Sequence, residues 1–286
     1  MKSVKIYVPA TIGNVGPGFD VLGLAIEGLG NTYEMALCEE KSQILGVTGV
    51  DAEFFPREPE KNLVFLAAHR MAEALGHEKL NFAIRAHQEL PVGGGLGSSA
   101  AACLAGAYGV AQLLSSTRAC LPVAYEFETH YDNIAPAYYG GLTIASKDFI
   151  LPVSQGCELW VVVVIPKNRL ETKKARSVLP KELSQEDWVL QMGLSCGLVC
   201  AWQQGDLKAI SQTLRDPYAE PRRALLMPGF MELKKRALDS GALGCSISGA
   251  GPTVFALFGD FELARNFAEQ NKGRCTQVSK QGIRLC

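Results

Sequence analysis

Neither sign of charge dominates this 286-residue sequence: 28 Lys and Arg stand against 29 Asp and Glu, a formal net charge of −1. A general nucleic-acid binder normally carries a basic surplus, so the balance argues against that class. No apolar run reaches the length that spans a bilayer, and the opening Met1–Lys5 stretch carries no signal pattern, so no membrane partner is expected. The nine cysteines are odd in number, scattered, and never spaced C-x-x-C. That pattern fits reduced thiols in a cytoplasm better than a disulfide framework or a zinc site. Cys103, Cys196 and Cys200 lie in helical apolar runs and are expected to be small core residues. Internal repeats, low-complexity tracts and disordered linkers are also lacking.

What is present describes an ordinary folded chain, 48% hydrophobic and 20% charged. Its length suits two compact domains, with a boundary expected near residue 153, giving 1–153 and 154–286. Residues 4–10 alternate as a strand, and Phe82, Ile84 and Ala86 as another. Residues 157–166 form a nearly continuous apolar run, as in a strand buried on both faces. Helical patterns cover 63–75, 98–114, 183–214, 229–240 and 260–271, and 254–258 reads as a strand. Strands and helices mix without a strict βαβ rhythm, which predicts an α+β fold.

The most informative stretch is Pro91, Val92, Gly93, Gly94, Gly95, Leu96, Gly97, Ser98, Ser99, Ala100 and Ala101. Four glycines in five positions reach backbone angles closed to other residues and admit a large ligand. The helix after them brings unpaired N–H groups and a positive dipole end to the same place, which makes an anion cradle. It is not a P-loop, because Gly97 rather than Lys precedes Ser98. Nor is it the dinucleotide fingerprint, which needs a glycine where Ser98 stands. A plain glycine-rich turn before a buried helix is the simpler alternative.

Three other groups ask for explanation. Asn14 and Asp20 bracket a loop after the first strand and could bind a hydroxyl and an ammonium, or serve only as turn residues. Glu126, Glu128, His130 and Asp132 could combine with a loop serine to hold Mg²⁺ against phosphate oxygens, or to orient or deprotonate a hydroxyl. The same cluster could also be a solvated helix end. Arg176 and the Arg222–Arg223 pair suit bidentate carboxylate recognition, though surface charge is the plainer reading of any single arginine.

These pieces occur in one order that resembles the GHMP kinases. The match is carried by Pro9 through Gly23, by Pro91 through Ala100, and by Ser248-Gly-Ala-Gly-Pro-Thr253. His130 through Pro136 with Gly140 and Gly141, Thr172 to Arg176, and Glu220 through Gly229 extend it over nearly the whole chain. The resemblance implies a ribosomal-S5-like N-terminal domain that binds ATP and a ferredoxin-like C-terminal domain. It also implies transfer of the ATP γ-phosphoryl group to the side-chain hydroxyl of L-homoserine, on the way to threonine.

Residue by residue, the resemblance assigns Asn14 and Asp20 to the polar end of homoserine. It gives Arg176 and Arg223 to the carboxylate with Thr172 assisting, and Gly249 to closure on the substrate. Residues 91–101 would wrap the triphosphate, with the adenine near Asn62. Ser98 or Ser99 with Glu128 would hold Mg²⁺, Glu126 being the alternative to Glu128. Asp132 is the candidate base, with His130 and Asn133 beside it. Gly94 stands where a serine is common in the family. Other acceptors in the family are mevalonate, sugars and shikimate, and a ligand sensor without turnover is the rival of a different class. A homodimer is compatible with the resemblance, and no nucleic-acid partner is implied.

Overall fold

The computed structural model describes residues 2–286. The chain runs β1 (Ser3–Gly13), β2 (Leu22–Cys38), β3 (Gln43–Gly49), α1 (Leu63–Ala74), β4 (Asn81–Gln88), α2 (Ser98–Leu113), α3 (Leu121–Tyr125), α4 (Ile134–Tyr139), β5 (Leu142–Ala145) and β6 (Ile150–Val153). It continues with β7 (Trp160–Val164), α5 (Thr172–Ser177), α6 (Gln185–Gln204), α7 (Leu207–Thr213), α8 (Glu220–Arg223), α9 (Phe230–Asp239), β8 (Gly244–Ile247), β9 (Val254–Phe258), α10 (Phe261–Gln270), β10 (Arg274–Gln277) and β11 (Arg284–Leu285).

Two sheets result, as an α+β fold requires. The larger has the order β11-β1-β2-β4-β3, with β5 on the end of β2 and β6 on β5. Its pairs are antiparallel except β3 with β4. The smaller, β10-β7-β9-β8, is antiparallel throughout. The chain returns at its end to the larger sheet, where β11 pairs with β1.

β1 runs three residues past the end its alternation suggests, to Gly13. Pro9, which cannot donate to a ladder, sits at a register shift between Pro9 and Ala10, and pairing with β2 resumes beyond it. The loop that carries Asn14 therefore starts directly at a sheet end.

The apolar run in β7 is buried on both faces. Val161 and Val163 join Phe255 and Leu257 in the larger core, while Val162 packs with Ala256 and Phe258 in a second core under α9 and α10. Strand periodicity of two sends neighbours to opposite sides. In α2 the small residues allow close approach: a Cβ on Gly106 would collide with the Val64 carbonyl of α1. One on Gly109 would lie 2.9 Å from both Ile6 Cδ1 and Met35 Sδ.

One expectation is corrected here. Cys103 is buried, but Cys196 and Cys200 are exposed. α6 is apolar on more sides than the fold covers, and it buries only Leu194, Leu198, Ala201 and Trp202. The two cysteines face an open groove with Trp188, Met192, Pro17 and Phe19. Among the described residues, no helix is long and apolar enough to cross a membrane.

Candidate active site

The glycine loop takes its shape from backbone angles that side chains disfavour. Gly93, Gly95 and Gly97 have φ of 68°, 80° and 75°, all left-handed. Gly97 is the N-cap of α2 and offers no side chain, so the first N–H groups of that helix face the cleft unmasked. The C-terminal glycine motif packs directly onto the loop. Ser248 Oγ donates to the Gly95 carbonyl at 2.6 Å, and Thr253 N–H donates to the Gly94 carbonyl at 3.2 Å.

Opposite the loop, the turn after β1 is strained. Asn14, Val15 and Asp20 have φ of 69°, 42° and 57°, a conformation costly for any side chain and most of all for a β-branched one. Hydrogen bonds hold it. Asp20 N–H donates to Asn14 Oδ1 at 3.0 Å, and Asn14 Nδ2 donates to the Gly249 carbonyl at 2.8 Å. The Asn14 backbone N–H donates to Asp132 Oδ2 at 3.1 Å.

The charges are arranged as an acidic centre between two guanidinium groups. Arg176 donates to both carboxylate oxygens of Asp20, at 2.6 and 3.0 Å, and His130 Nδ1 lies 3.3 Å from the same carboxylate. Arg223 is buried, so it is not a surface charge. Its Nη1 donates to the Gly249 carbonyl at 2.6 Å and its Nε to the Ala175 carbonyl at 3.3 Å. Both guanidinium carbons lie 5.4 Å from the Phe19 ring, within reach of a cation–π attraction.

Burial governs the titration of the site. It pushes the Asp132 carboxyl up to about 7, helped by the negative charge of Asp20 and opposed by the Asn14 N–H, Arg176 and Asn133. It also pushes Glu128 up to about 7, with Asp132 as the second cause. His130 is lowered by burial, against the pull of Asp20.

One cleft brings together most of the residues singled out in the sequence. Asn14, Asp20, Gly93, Gly94, Gly95, Gly97, Ser98, Ser99, Ala100, Glu128, His130, Asp132, Asn133, Thr172, Arg176, Arg223 and Gly249 all line it. Pro91, Val92, Leu96, Ala101 and Asn62 do not. Leu96 and Ala101 are core residues beneath the loop. The Asn62 amide caps α1, accepting from Val64 N–H at 2.9 Å and donating to the Pro56 carbonyl at 2.6 Å. The two glutamates are placed differently: Glu128 lines the cleft, whereas Glu126 pairs with Arg70 at 2.7 Å on the exposed surface. Of the acidic cluster, Glu126 is the exposed C-cap of α3, whereas Glu128, His130 and Asp132 lie on the connection from α3 to α4 and line the cleft.

Two contributors were not legible as such. Phe19 reads as a turn residue but lies beside both arginines, and Thr11 reads as strand but reaches Asn133. The only signal for either is membership of the Pro9–Gly23 motif.

Known proteins with this arrangement are close at hand. The model of the GHMP kinases N terminal domain matches residues 62–141, and that of the GHMP kinases C terminal domain matches 198–276. A homoserine kinase of Pyrococcus abyssi is 35% identical over 289 residues, covering 98% of this chain and 94% of that protein. One of Thermococcus gammatolerans is 38% identical over 281 residues, 94% of each. The crystal structure of homoserine kinase from Cytophaga hutchinsonii superposes with a TM-score of 0.94 at 36% identity, covering all of this chain and 98% of that one. An L. major mevalonate kinase shares the fold, with a TM-score of 0.74 at 15% identity over 97% of this chain and 96% of that one. Sequence matches in both halves and superposition over the full length agree with the cleft geometry: the chain belongs to the GHMP kinase family.

Proposed function

We propose that the chain transfers the γ-phosphoryl group of ATP to the side-chain hydroxyl of L-homoserine, giving O-phospho-L-homoserine for threonine synthesis. The observation that carries the reading is the Asp20–Arg176 pair with buried Arg223, set across one cleft from the glycine loop. An acceptor carrying both an ammonium and a carboxylate matches that pair of opposite charges, and the relatives at 35–38% identity are homoserine kinases. Taking 1–153 as the nucleotide part and 154–286 as the second, Thr172, Arg176, Arg223 and Gly249 approach from the second part. The phosphate loop, Asn14 and Asp132 belong to the first.

Phosphoryl transfer asks the protein for positioning and charge stabilisation. The loop N–H groups and the α2 terminus receive the phosphates. The acceptor oxygen attacks the γ-phosphorus, the bond to the β–γ bridging oxygen breaks, and ADP leaves with that oxygen. The hydroxyl proton passes to Asp132, whose carboxyl, near 7, is matched to a base working at neutral pH. His130 and Asn133 orient the acceptor and Asp132. Thr172 with Arg176 and Arg223 hold the acceptor carboxylate, while Asp20 and Asn14 take its ammonium.

Glu128 fits a cation. It is a largely buried carboxylate, raised to about 7, with no ion-pair partner among the described residues. No group of three metal-ligating side chains exists among the described residues. A metal held by Glu128 and Ser98 would therefore need phosphate oxygens and water as further ligands, which is the habit of Mg²⁺. Bound there, Mg²⁺ would neutralise charge on the phosphates.

A coupled ADP-release assay tests the reading. ADP formation with homoserine and ATP-Mg²⁺ is expected. No ADP with homoserine but turnover of mevalonate, a sugar or shikimate would replace the acceptor, and no turnover with any would favour a ligand sensor.

A further inference from the structure

Thr11 is buried at the end of β1 and does not line the cleft, yet it joins three motifs far apart in the chain. Its backbone N–H donates to the Leu96 carbonyl of the phosphate loop at 3.1 Å. Its Oγ1 donates to Asn133 Oδ1 at 2.9 Å. A Cβ on Gly97 would collide with that same Oγ1, so the glycine there makes room for the hydroxyl. The other end of the Asn133 amide, Nδ2, donates to Asp132 Oδ1 at 3.3 Å. The second Asp132 oxygen takes the Asn14 N–H.

We infer that Thr11 is a positioning residue: its hydroxyl anchors the Asn133 amide at the oxygen end and so holds the N–H end on the Asp132 carboxylate. The inference rests on the kinase reading above. The terminal torsion of an Asn side chain is broad, so an amide held at one end only turns over a wide range at little cost. Without the Thr11 hydroxyl on Oδ1, the 3.3 Å contact from Nδ2 to Asp132 is the remaining side-chain hydrogen bond of the amide, and it lengthens as the amide turns. Asp132 would then keep only the Asn14 N–H and swing on it. A proton acceptor must stay within hydrogen-bond reach of the hydroxyl it serves. A strand residue that never touches substrate thus sets the geometry of the group that does.

The test compares Thr11→Val, Thr11→Ser, Asn133→Ala and the Thr11→Val/Asn133→Ala double variant by steady-state kinetics, below the melting temperature of each. Val keeps the shape and removes the hydroxyl, and Ser keeps the hydroxyl. Thr11→Val is expected to lower kcat about 10- to 100-fold, the scale of a displaced catalytic group, with KM for ATP held within about twofold. Thr11→Ser is expected to stay within about threefold of the parent, and Thr11→Val to add less than about twofold on Asn133→Ala. Parental kcat in Thr11→Val, equal damage from Ser and Val, losses that multiply in the double variant, or a loss confined to KM for ATP would each overturn the inference. Should Thr11→Val not fold, Thr11→Ala removes the same hydroxyl and carries the same comparison. The variants are assayed with whichever hydroxyl acceptor the parent phosphorylates. A parent inactive on homoserine sinks the substrate reading, while the Thr11 comparison is still decided on the acceptor in use.

Discussion

Replacing Glu128 by Gln should make the protein more stable and disable it. The carboxyl is pushed from 4.5 to about 7 by burial and by Asp132. At about 1.36 kcal/mol per pH unit that amounts to about 3 kcal/mol. Charge shared with Asp132 and residual solvation reduce this to about 1–2 kcal/mol of destabilisation in the apo protein above neutral pH. The sign follows from proton binding. Between about 4.5 and 7 the folded chain keeps a proton that the unfolded chain has released, so stability falls as pH rises through that window and is flat above it. Gln carries no such penalty. In EDTA, without nucleotide, Glu128→Gln should melt about 2–8 °C above the parent at pH 8, taking about 2–4 °C per kcal/mol for a chain of this order of size. The gain should vanish about one pH unit below 4.5, where the parent carboxyl is protonated in both states. In the same preparation, Mg²⁺-dependent turnover should fall about 100-fold or more, the scale of a lost electrostatic contact to the transition state. Glu126→Gln, which loses only an exposed pair with Arg70, should change neither property appreciably. Equal melting of parent and Glu128→Gln at pH 8, or a gain larger at pH 4.5 than at pH 8, would refute the account.

Arg176→Ala should raise KM for homoserine about 10- to 100-fold with KM for ATP nearly unchanged, the value of a charged hydrogen-bonded contact, and Arg176→Lys should rescue it poorly because one ammonium cannot replace a two-pronged guanidinium. Equal rescue by Lys would show that charge alone matters. Gly106→Ala should lower the melting temperature by an amount equivalent to about 1–3 kcal/mol, since the new methyl meets the Val64 carbonyl, while kcat per folded molecule is retained. A thermal melt with active-site titration decides it. Cys196→Ser and Cys200→Ser should shift stability by less than about 0.5 kcal/mol because both side chains are exposed, whereas Cys103→Ser places a hydroxyl in the core and should cost more. Denaturant midpoints measured side by side would expose the reverse order.

The sequence by itself determined several of the elements and the shape of the glycine loop, because those rest on local rules, but it left β2, β3, α3 and α4 unmarked. Apolar periodicity marked α1, α2, α9 and α10 within a residue or two, and a continuous run marked β7 as buried on both faces. Four glycines before a helix start dictate a left-handed turn and free N–H groups in any context. Sequence order also collected Asn14, Asp20, Arg176 and Arg223 as one set, though only through resemblance. The tertiary structure decided what those residues face. Glu128 and Glu126 are alike in sequence, yet one lies in the cleft and the other on Arg70, since the connection between α3 and α4 follows no helical period. Arg223 and Arg222 are neighbours, but only Arg223 is buried against Gly249. Cys196 and Cys200 share the apolar helical setting of Cys103, and no neighbouring element covers their side of α6. The Thr11–Asn133–Asp132 chain spans more than a hundred residues of sequence and exists only because β1 ends beside the loop entering α4. Local conformation is set by each residue and its near neighbours, whereas burial, charge pairing and titration depend on long-range contacts that no local pattern encodes.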